Sequence, residues 1–489
     1  MSDPADLSAR RIAADVASGA ITAEAVIEAT LERTAAVEPR LRAFAYLDPE
    51  LARAQARAVD AGKRKGALAG VPVGVKDTID TKDMPTEGNS PIHIGRRPET
   101  DAACVAAVRK ASGIVIGKTV TTEFANRRPG PTANPYDLRH TPGGSSSGSA
   151  AAVGAGLIPL AFGSQTAGSV IRPAAFCGCV GYKATRGLLS LDGMMPLSGS
   201  LDTLGGFART PDDLLLFQSV LAGVRDSTPK LPRRPRIAVV VPPGRMPLDP
   251  AQSQALEQAA SKLAAQAQIE RLELPSVCAR GFAAQEVVMS ADSARHYERE
   301  WQEQRSLLGE SFRRHLEIGR GHSPARLAEA RTIRAWIIDA IDRVLIDFDA
   351  VLAPSAAGEA PKGLSWTGDP EYQRLWTFAD TPCVSLPTGL GPNGLPLAVQ
   401  LVGRRNSDRL LLALSDWAYR LLGRLPAPAL PKSASIAAIA RRAGLSLDAA
   451  LTASTIEADR ANRDALRRIP RDLPYEAEPA HVFRPSRRD

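Results

Sequence analysis

This chain of 489 residues has five cysteines, six histidines and no long apolar run. Each scarcity excludes something. Cys104, Cys177, Cys179, Cys278 and Cys383 are odd in number and set among apolar neighbours. That usage points to unpaired thiols in a reducing compartment, not to a disulfide framework. The close pair Cys177-Gly-Cys179 has one intervening residue, where zinc and thioredoxin motifs have two. The histidines are dispersed and lack the HxxxH spacing of a helix-borne metal site, so no metal or other cofactor is expected. The first residues, MSDPADLSARRIAADVASG, are polar and charged and lack the apolar core of a signal peptide. The longest weakly polar run, 150–164, is too short and glycine-rich to span a bilayer. The expectation is a cytoplasmic protein without a membrane segment.

Charge of one sign is also not concentrated. The net charge is +8, but the arginines are scattered along helical segments and matched by acids, as around 462–468. Nucleic acid is therefore not an expected partner. The 44% hydrophobic and 23% charged content is that of an ordinary globular protein with material for a large core.

What the chain does have is a steady alternation of helical and strand patterns. Residues 7–38 read as two amphipathic helices split at Gly19-Ala20, with Thr22 capping the second. A third runs from Pro49 to Ala61 and stops at Gly62. Alternating valines in Gly70-Val-Pro-Val-Gly-Val-Lys-Asp77 suggest a buried strand, and Gly113–Gly117 a second. Lys118-Thr119 follows that second strand and resembles a phosphate-binding loop, but the glycine spacing is one residue short. Further strands are expected at 157–162, 236–242, 269–274, 350–353, 383–387 and 397–402, with helices at 211–223, through much of 250–346 and at 407–422. No internal repeat is present. The pattern predicts an α/β fold, one large domain over 1–424 with a central sheet flanked by helices. The proline-rich linker 426–431 then leads into a helical and extended tail, 425–489.

The densest feature is PGGSSSGSAAAVGAGLIPLAFGSQTAGSVIRPAAFCGCVGYKATRG, residues 142–187. Small residues at this density expose backbone N–H groups and hydroxyls, the material of a nucleophile and an oxyanion hole. Several readings compete. Gly144-Ser-Ser-Ser-Gly148 satisfies GxSxG with Ser146 central, yet no strand precedes it and no later histidine sits in a recognisable context. Ser227-Thr-Pro-Lys230 is the one Ser-x-x-Lys match and lies in a proline-rich linker. A structural reading makes 150–156 a tightly packed helix capped by the serines before it, which leaves Gly168-Ser169 unexplained.

The stretch closely resembles the amidase signature family. The likeness rests on Pro142–Ser149, Gly163-Ser-Gln-Thr-Ala-Gly-Ser-Val-Ile-Arg-Pro173 and Phe176–Lys183. It continues in the lysine segment Gly70–Asp77, in Gly117–Phe124 and in Leu395–Gly403, and covers residues 5 to 422. The resemblance implies a mixed central sheet and a Ser–cis-Ser–Lys triad, with Ser169 as nucleophile, Ser145 as bridging serine and Lys76 as base. It also implies a cis peptide at Gly144–Ser145 and an oxyanion hole from the backbone of Thr166, Ala167, Gly168 and Ser169.

Physical reasoning supports this. A serine hydroxyl needs a base to become a nucleophile, and lysine serves only where burial lowers its pKa. Read alone, Lys76 is a lysine reaching the surface beside Asp77. Read with Ser145 and Ser169, it is the base.

Gln165 stands where many members carry aspartate and Ala167 where many carry glycine. Arg172 falls three residues after the nucleophile, as in malonamidase-like members, where it contacts an acidic substrate group; a structural ion pair is the other reading. The tail, from Leu445-Ser-Leu-Asp448 to Leu473–Pro485, resembles the small companion subunit of carboxybiuret hydrolase, itself related to the C-type subunit of transamidosomal amidotransferases. The other reading is a helical extension that covers a surface or supports dimerisation, so a homodimer stays open. The expected activity is hydrolysis of a C–N bond in a small-molecule amide, anilide, urea or carbamate through an acyl-enzyme. The alternatives are the A-type subunit of a tRNA-dependent amidotransferase and a non-catalytic binding protein on this scaffold. Substrate-pocket walls are expected from 250–346 and from the loops near Trp366 and Trp376.

Overall fold

Strand β2 (Pro72–Lys76) shows how the sheet is built. Its five residues are all buried. Side chains alternate across a strand, so Val73 and Val75 enter one core cluster and leave Gly74 and Lys76 to the other face. The same alternation sends Val115 of β3 (Ile114–Thr119) and Leu160 and Phe162 of β4 (Leu160–Gln165) to the first cluster. Ile114, Ile116 and Ala161 go to another. Strands covered on both faces need apolar residues at every position, which is why these segments read as near-continuous hydrophobic runs.

The computed structural model describes residues 3–62, 66–244 and 246–430. Its eleven described strands form one mixed sheet. Besides β2, β3 and β4 these are β1 (Phe44–Leu47), β5 (Val180–Lys183), β6 (Thr203–Ala208), β7 (Arg236–Val239), β8 (Gln268–Arg271), β9 (Ala350–Pro354), β10 (Cys383–Leu390) and β11 (Pro396–Val402). The order across the sheet is β1-β3-β2-β4-β6-β5-β10-β11-β9-β7-β8. The pairs β2–β3, β2–β4, β7–β8 and β7–β9 are parallel and the rest antiparallel. Two parallel zones thus flank an antiparallel centre, and helices cover the sheet.

Local chemistry sets several helix ends as expected. Thr22 accepts from Ala25 N and caps the helix Ala23–Leu41, and Pro49 opens the helix Pro49–Asp60. Other expectations need correction. The strand expected at 157–162 runs instead over Leu160–Gln165, because Gly156 turns the chain (φ +71°) and the ladder to β6 starts at Leu160. That shift places Ser164 and Gln165 on the sheet. The strand expected at 269–274 ends at Arg271. Strands β1, β5 and β6 carry too few alternating apolar residues to be read unaided; pairing to neighbours makes them strands. Ser146 does stand at the N-cap of the helix Ser147–Gly154, but its hydroxyl makes no capping bond. It bonds the Ser164 backbone instead. The tail expected to be helical and extended, with its companion-subunit likeness, lies outside the described residues from 431 onward.

Candidate active site

Lys76 ends β2 with its side chain on the face against which the helix Ser147–Gly154 packs. It is fully buried, and the reading that takes it to the surface beside Asp77 fails. Asp77 is instead partnered by Lys118, 3.4 Å away, and Lys118 also donates to Ile79 O, Pro85 O and Thr86 Oγ1. Among the described residues, Lys76 Nζ has no such ion pair. It lies 2.7 Å from Ser145 Oγ, 2.8 Å from Ser164 Oγ and 3.5 Å from Ser164 O. Burial disfavours the ammonium and lowers the Lys76 pKa to about 7, against a smaller opposing pull from Asp202. A neutral amine has two N–H bonds and one lone pair. The two oxygens of Ser164 can take the N–H bonds, which leaves the lone pair for the Ser145 hydroxyl.

Ser145 follows a cis peptide bond, Gly144–Ser145. Its segment is clamped at both ends. Arg172 Nη2 donates to Gly144 O at 2.5 Å, and Ser145 O accepts from Thr122 N at 3.2 Å. The helix that follows sits hard against its neighbours: a Cβ at Gly148 would fall 2.0 Å from Ala43 O and 2.4 Å from Val120 N. Glycine is therefore required there for close approach.

Ser169 lies in the turn between β4 and the helix Ile171–Cys177. Gln165 shapes this turn. Its Oε1 accepts from Val170 N (2.8 Å) and Ile171 N (3.0 Å), while its Nε2 donates to Thr377 Oγ1 (2.9 Å). The turn's carbonyls are also claimed: Thr166 O by Gln285 Nε2 at 3.0 Å, Ala167 O by Thr377 Oγ1 at 2.8 Å. Among the described residues, the N–H groups of Thr166, Ala167, Gly168 and Ser169 donate to no protein group. A Cβ at Gly168 would lie 2.5 Å from Gln373 Oε1, so glycine lets the turn pass close to the helix Glu371–Phe378. Ser146 N donates to Ser169 O at 3.4 Å, which joins the two serine segments. No hydrogen bond links the Ser145 and Ser169 hydroxyls among the described residues.

The turn opens into a cleft of about 280 Å³. Thr166, Ala167, Gly168, Ser169 and Arg172 line its floor. Glu286 and Met289, within the 250–346 span, line the wall as expected, and Trp366 stands half-exposed at the rim. Trp376 does not reach the cleft; it is fully buried in the core. Arg127 and Arg374 both reach Glu286 Oε1 at 3.1 Å. Arg172 makes no ion pair within 4 Å among the described residues, contrary to its structural ion-pair reading. Its Nη2 holds Gly144 O and Thr367 Oγ1, and its buried Nε and Nη1 have no hydrogen-bond partner among the described residues. Asp369, also lining the cleft, acts on it electrostatically.

The structure therefore brings Lys76 and Ser145 into contact and sets Ser169, Thr166, Ala167, Gly168 and Arg172 around one cleft. Ser164, Asp202, Gln285, Glu286 and Thr377 were not singled out by the sequence. Ser164 could have been marked by its place in the glycine-rich segment; the others come from distant chain and carry no local signal. No cluster of metal-ligating side chains occurs among the described residues, and no described helix is long and apolar enough to cross a membrane.

A sequence model of the family described as Amidase matches residues 25–412. The A-type subunit of glutamyl-tRNA(Gln) amidotransferase from Picosynechococcus sp. is 32% identical over 450 residues, covering 80% of this chain and 93% of that protein. Among solved structures, peptide amidase from Stenotrophomonas maltophilia aligns with a TM-score of 0.74 at 28% identity, over 87% of this chain and 99% of its own. A vestigial protein complex, described as revealing the evolutionary origins of an s-triazine catabolic enzyme, aligns with a TM-score of 0.77 at 27% identity, over 85% of this chain and 98% of its own.

Proposed function

The chain belongs to the amidase signature family, and we propose that it hydrolyses a C–N bond of a small amide-type substrate through an acyl-enzyme on Ser169. One observation carries this reading: a fully buried lysine, its pKa lowered to about 7, whose Nζ lies 2.7 Å from a serine hydroxyl behind the turn that bears a second serine. Neutral Lys76 takes the Ser145 proton as Ser145 takes that of Ser169, and Ser169 Oγ attacks the carbonyl carbon. The Ser145–Ser169 hydrogen bond that this relay needs forms when substrate fills the cleft, as catalytic hydrogen bonds often do. Unbonded N–H groups of the 166–169 turn receive the oxyanion, a contribution of a few kcal/mol where single donors have been removed from other hydrolases. The proton returns through Ser145 to the leaving nitrogen, which departs as ammonia or an amine. Water then attacks the acyl carbon, gives its proton back along the same path and releases the acid.

Amides, anilides, ureas and carbamates all present a suitable carbonyl. A fluorophosphonate probe tests the reading without knowledge of the substrate. The intact protein should label and Ser169→Ala should not. Absence of label on folded intact protein would overturn the reading and favour a non-catalytic binding protein. A second reading, the A-type component of an amidotransferase, is favoured by the 32% identity to a protein of that name. Gln165, in place of the aspartate of many members, weighs against it. Glutaminase activity that appears only with added B- and C-type subunits would decide for that reading; hydrolysis of one of the four amide classes by the chain alone would decide against it.

A further inference from the structure

The proposed mechanism has an electrostatic requirement that its three catalytic residues do not meet. Each proton transfer to Lys76 creates an ammonium in a site with no solvent exposure. An uncompensated charge there is costly, and the serine oxygens around it are neutral. We propose that Asp202 is a positioning residue for this reaction, which supplies the counter-charge to protonated Lys76 and holds Thr166 of the oxyanion turn. The proposal rests on the amidase reading above.

Geometry places Asp202 against the oxyanion turn and two positions along the ladder from Ser164, the residue that holds Lys76. In the β4–β6 ladder Ser164 is opposite Leu204 and Gln165 opposite Thr203, so Asp202 comes next, beside Thr166. Its carboxylate is buried and fully engaged. Oδ1 accepts from Thr166 Oγ1 at 2.5 Å, and Oδ2 accepts from Leu197 N at 2.8 Å and Ser198 N at 3.0 Å. These bonds come from two segments and fix the carboxylate in place. The same ladder carries Ser164, which holds the lysine amine.

The charges facing this carboxylate are few. Lys76, on β2, is the cation that acts on it, and among the described residues Asp202 is in turn the charged group that acts on Lys76. Tyr297, after the helix Gly281–His296, is the other titratable neighbour; burial holds its phenol neutral and it donates to Pro196 O at 2.7 Å. Asp292 is one step removed, bound to Ser198 Oγ at 2.7 Å. Burial raises the Asp202 pKa, while the bonds from Thr166, Leu197 N and Ser198 N and the charge of Lys76 favour its carboxylate form.

The test is the pH dependence of the second-order rate of fluorophosphonate labelling. In the unchanged protein the rate should rise through an acid limb as Lys76 loses its proton. Loss of the neighbouring negative charge lowers the lysine pKa, because opposite charge favours the charged form. Asp202→Asn should therefore move the limb down by about one pH unit and lower the plateau rate about tenfold. Asp202→Ser provides the same comparison should asparagine, whose single oxygen can replace only one of the two carboxylate oxygens, prevent folding. Thr166→Val, which keeps the carboxylate but removes its hydroxyl partner, should lower the plateau without moving the limb down. A limb unmoved in a folded Asp202→Asn or Asp202→Ser protein overturns the counter-charge role. Labelling that survives Lys76→Ala would instead remove the amidase mechanism itself, so the two failures are distinguishable.

Discussion

Lys76 Nζ lies 2.7 Å from Ser145 Oγ across 69 residues of chain, in a position that solvent does not reach. The relationship is made by the sheet. β2 delivers the lysine, and the helix Ser147–Gly154, locked by Gly148 against Ala43 and Val120, holds the serine segment above it. A hydrogen-bonded hydroxyl beside a neutral amine is a proton path; beside an ammonium it is not.

The first expectation follows from that difference. Activity should be low at pH 5 and rise with pH through a limb near 7, where Lys76 loses its proton. Lys76→Met should lower the plateau labelling rate by about 10²–10⁴-fold, the usual range for a positioned acid–base group. A variant whose rate and limb match the unchanged protein would remove Lys76 from the mechanism.

Stability should carry the same signature. Lys76 binds its proton below about 7 when folded and below 10.5 at its ordinary value. Between these pH values the unfolded chain binds more protons, so unfolding free energy rises with pH, by at most about 1.4 kcal/mol per pH unit from this group. Buried Lys118, lowered to about 8, adds a similar slope over a narrower window. The difference between unchanged protein and Lys76→Met isolates the Lys76 contribution. In urea unfolding from pH 7 to 10, the variant should show the shallower rise.

Much of this architecture was legible in the residues. Alternating valines marked β2, and Thr22 and Pro49 marked helix starts through side-chain capping and a fixed φ, both local effects. The small-residue stretch marked the site because bare backbone has few other uses at that density. What stayed hidden was non-local. Ser164 reads as one more serine until the ladder places it under Lys76. Gln285, Thr377 and Asp202 reach the 166–169 turn from segments with no motif, and only tertiary packing connects them. Arg172 was readable as a cation near a nucleophile. Its bond to Gly144 O depends on a backbone path that spacing does not reveal.

Ser164 gives a third expectation. Its Oγ lies 2.8 Å from Lys76 Nζ and orients the amine toward Ser145. Ser164→Ala leaves the backbone carbonyl but frees the lysine to rotate. Labelling should slow about tenfold with little loss of stability, since one neutral hydrogen bond contributes about 1 kcal/mol. Ser164→Thr keeps the hydroxyl and should recover most of the rate. Equal rates in Ser164→Ala and the unchanged protein would show that packing alone orients Lys76.

Gln165 should separate fold from chemistry. Its Oε1 accepts two buried backbone N–H groups, and leaving such groups unpaired costs about 1–3 kcal/mol each. Gln165→Leu should lower the melting temperature by several degrees and abolish labelling, because the turn loses its scaffold. Gln165→Glu keeps the acceptor for the two N–H groups, gives up the donor to Thr377 and adds a buried negative charge that those N–H groups partly offset. It should stay closer to the unchanged protein in both measurements, and reversal of that ranking would contradict the acceptor role.

Arg172 holds Gly144 O through Nη2, while its buried Nε and Nη1 have no hydrogen-bond partner among the described residues. The two halves of this guanidinium predict two separable effects. The Gly144 contact steadies the peptide that bears Ser145, so Arg172→Met should slow fluorophosphonate labelling, whatever the substrate. We propose that these nitrogens receive an anionic group of the substrate, because guanidinium binds carboxylates through two parallel hydrogen bonds. Arg172→Lys retains the charge and one donor site but not that fork. It should raise KM for amides that also carry a carboxylate by about tenfold or more, while KM for neutral amides changes little. If both substrate sets lose kcat alone and KM stays level, Arg172 serves only to hold Gly144, and the acidic-substrate role falls.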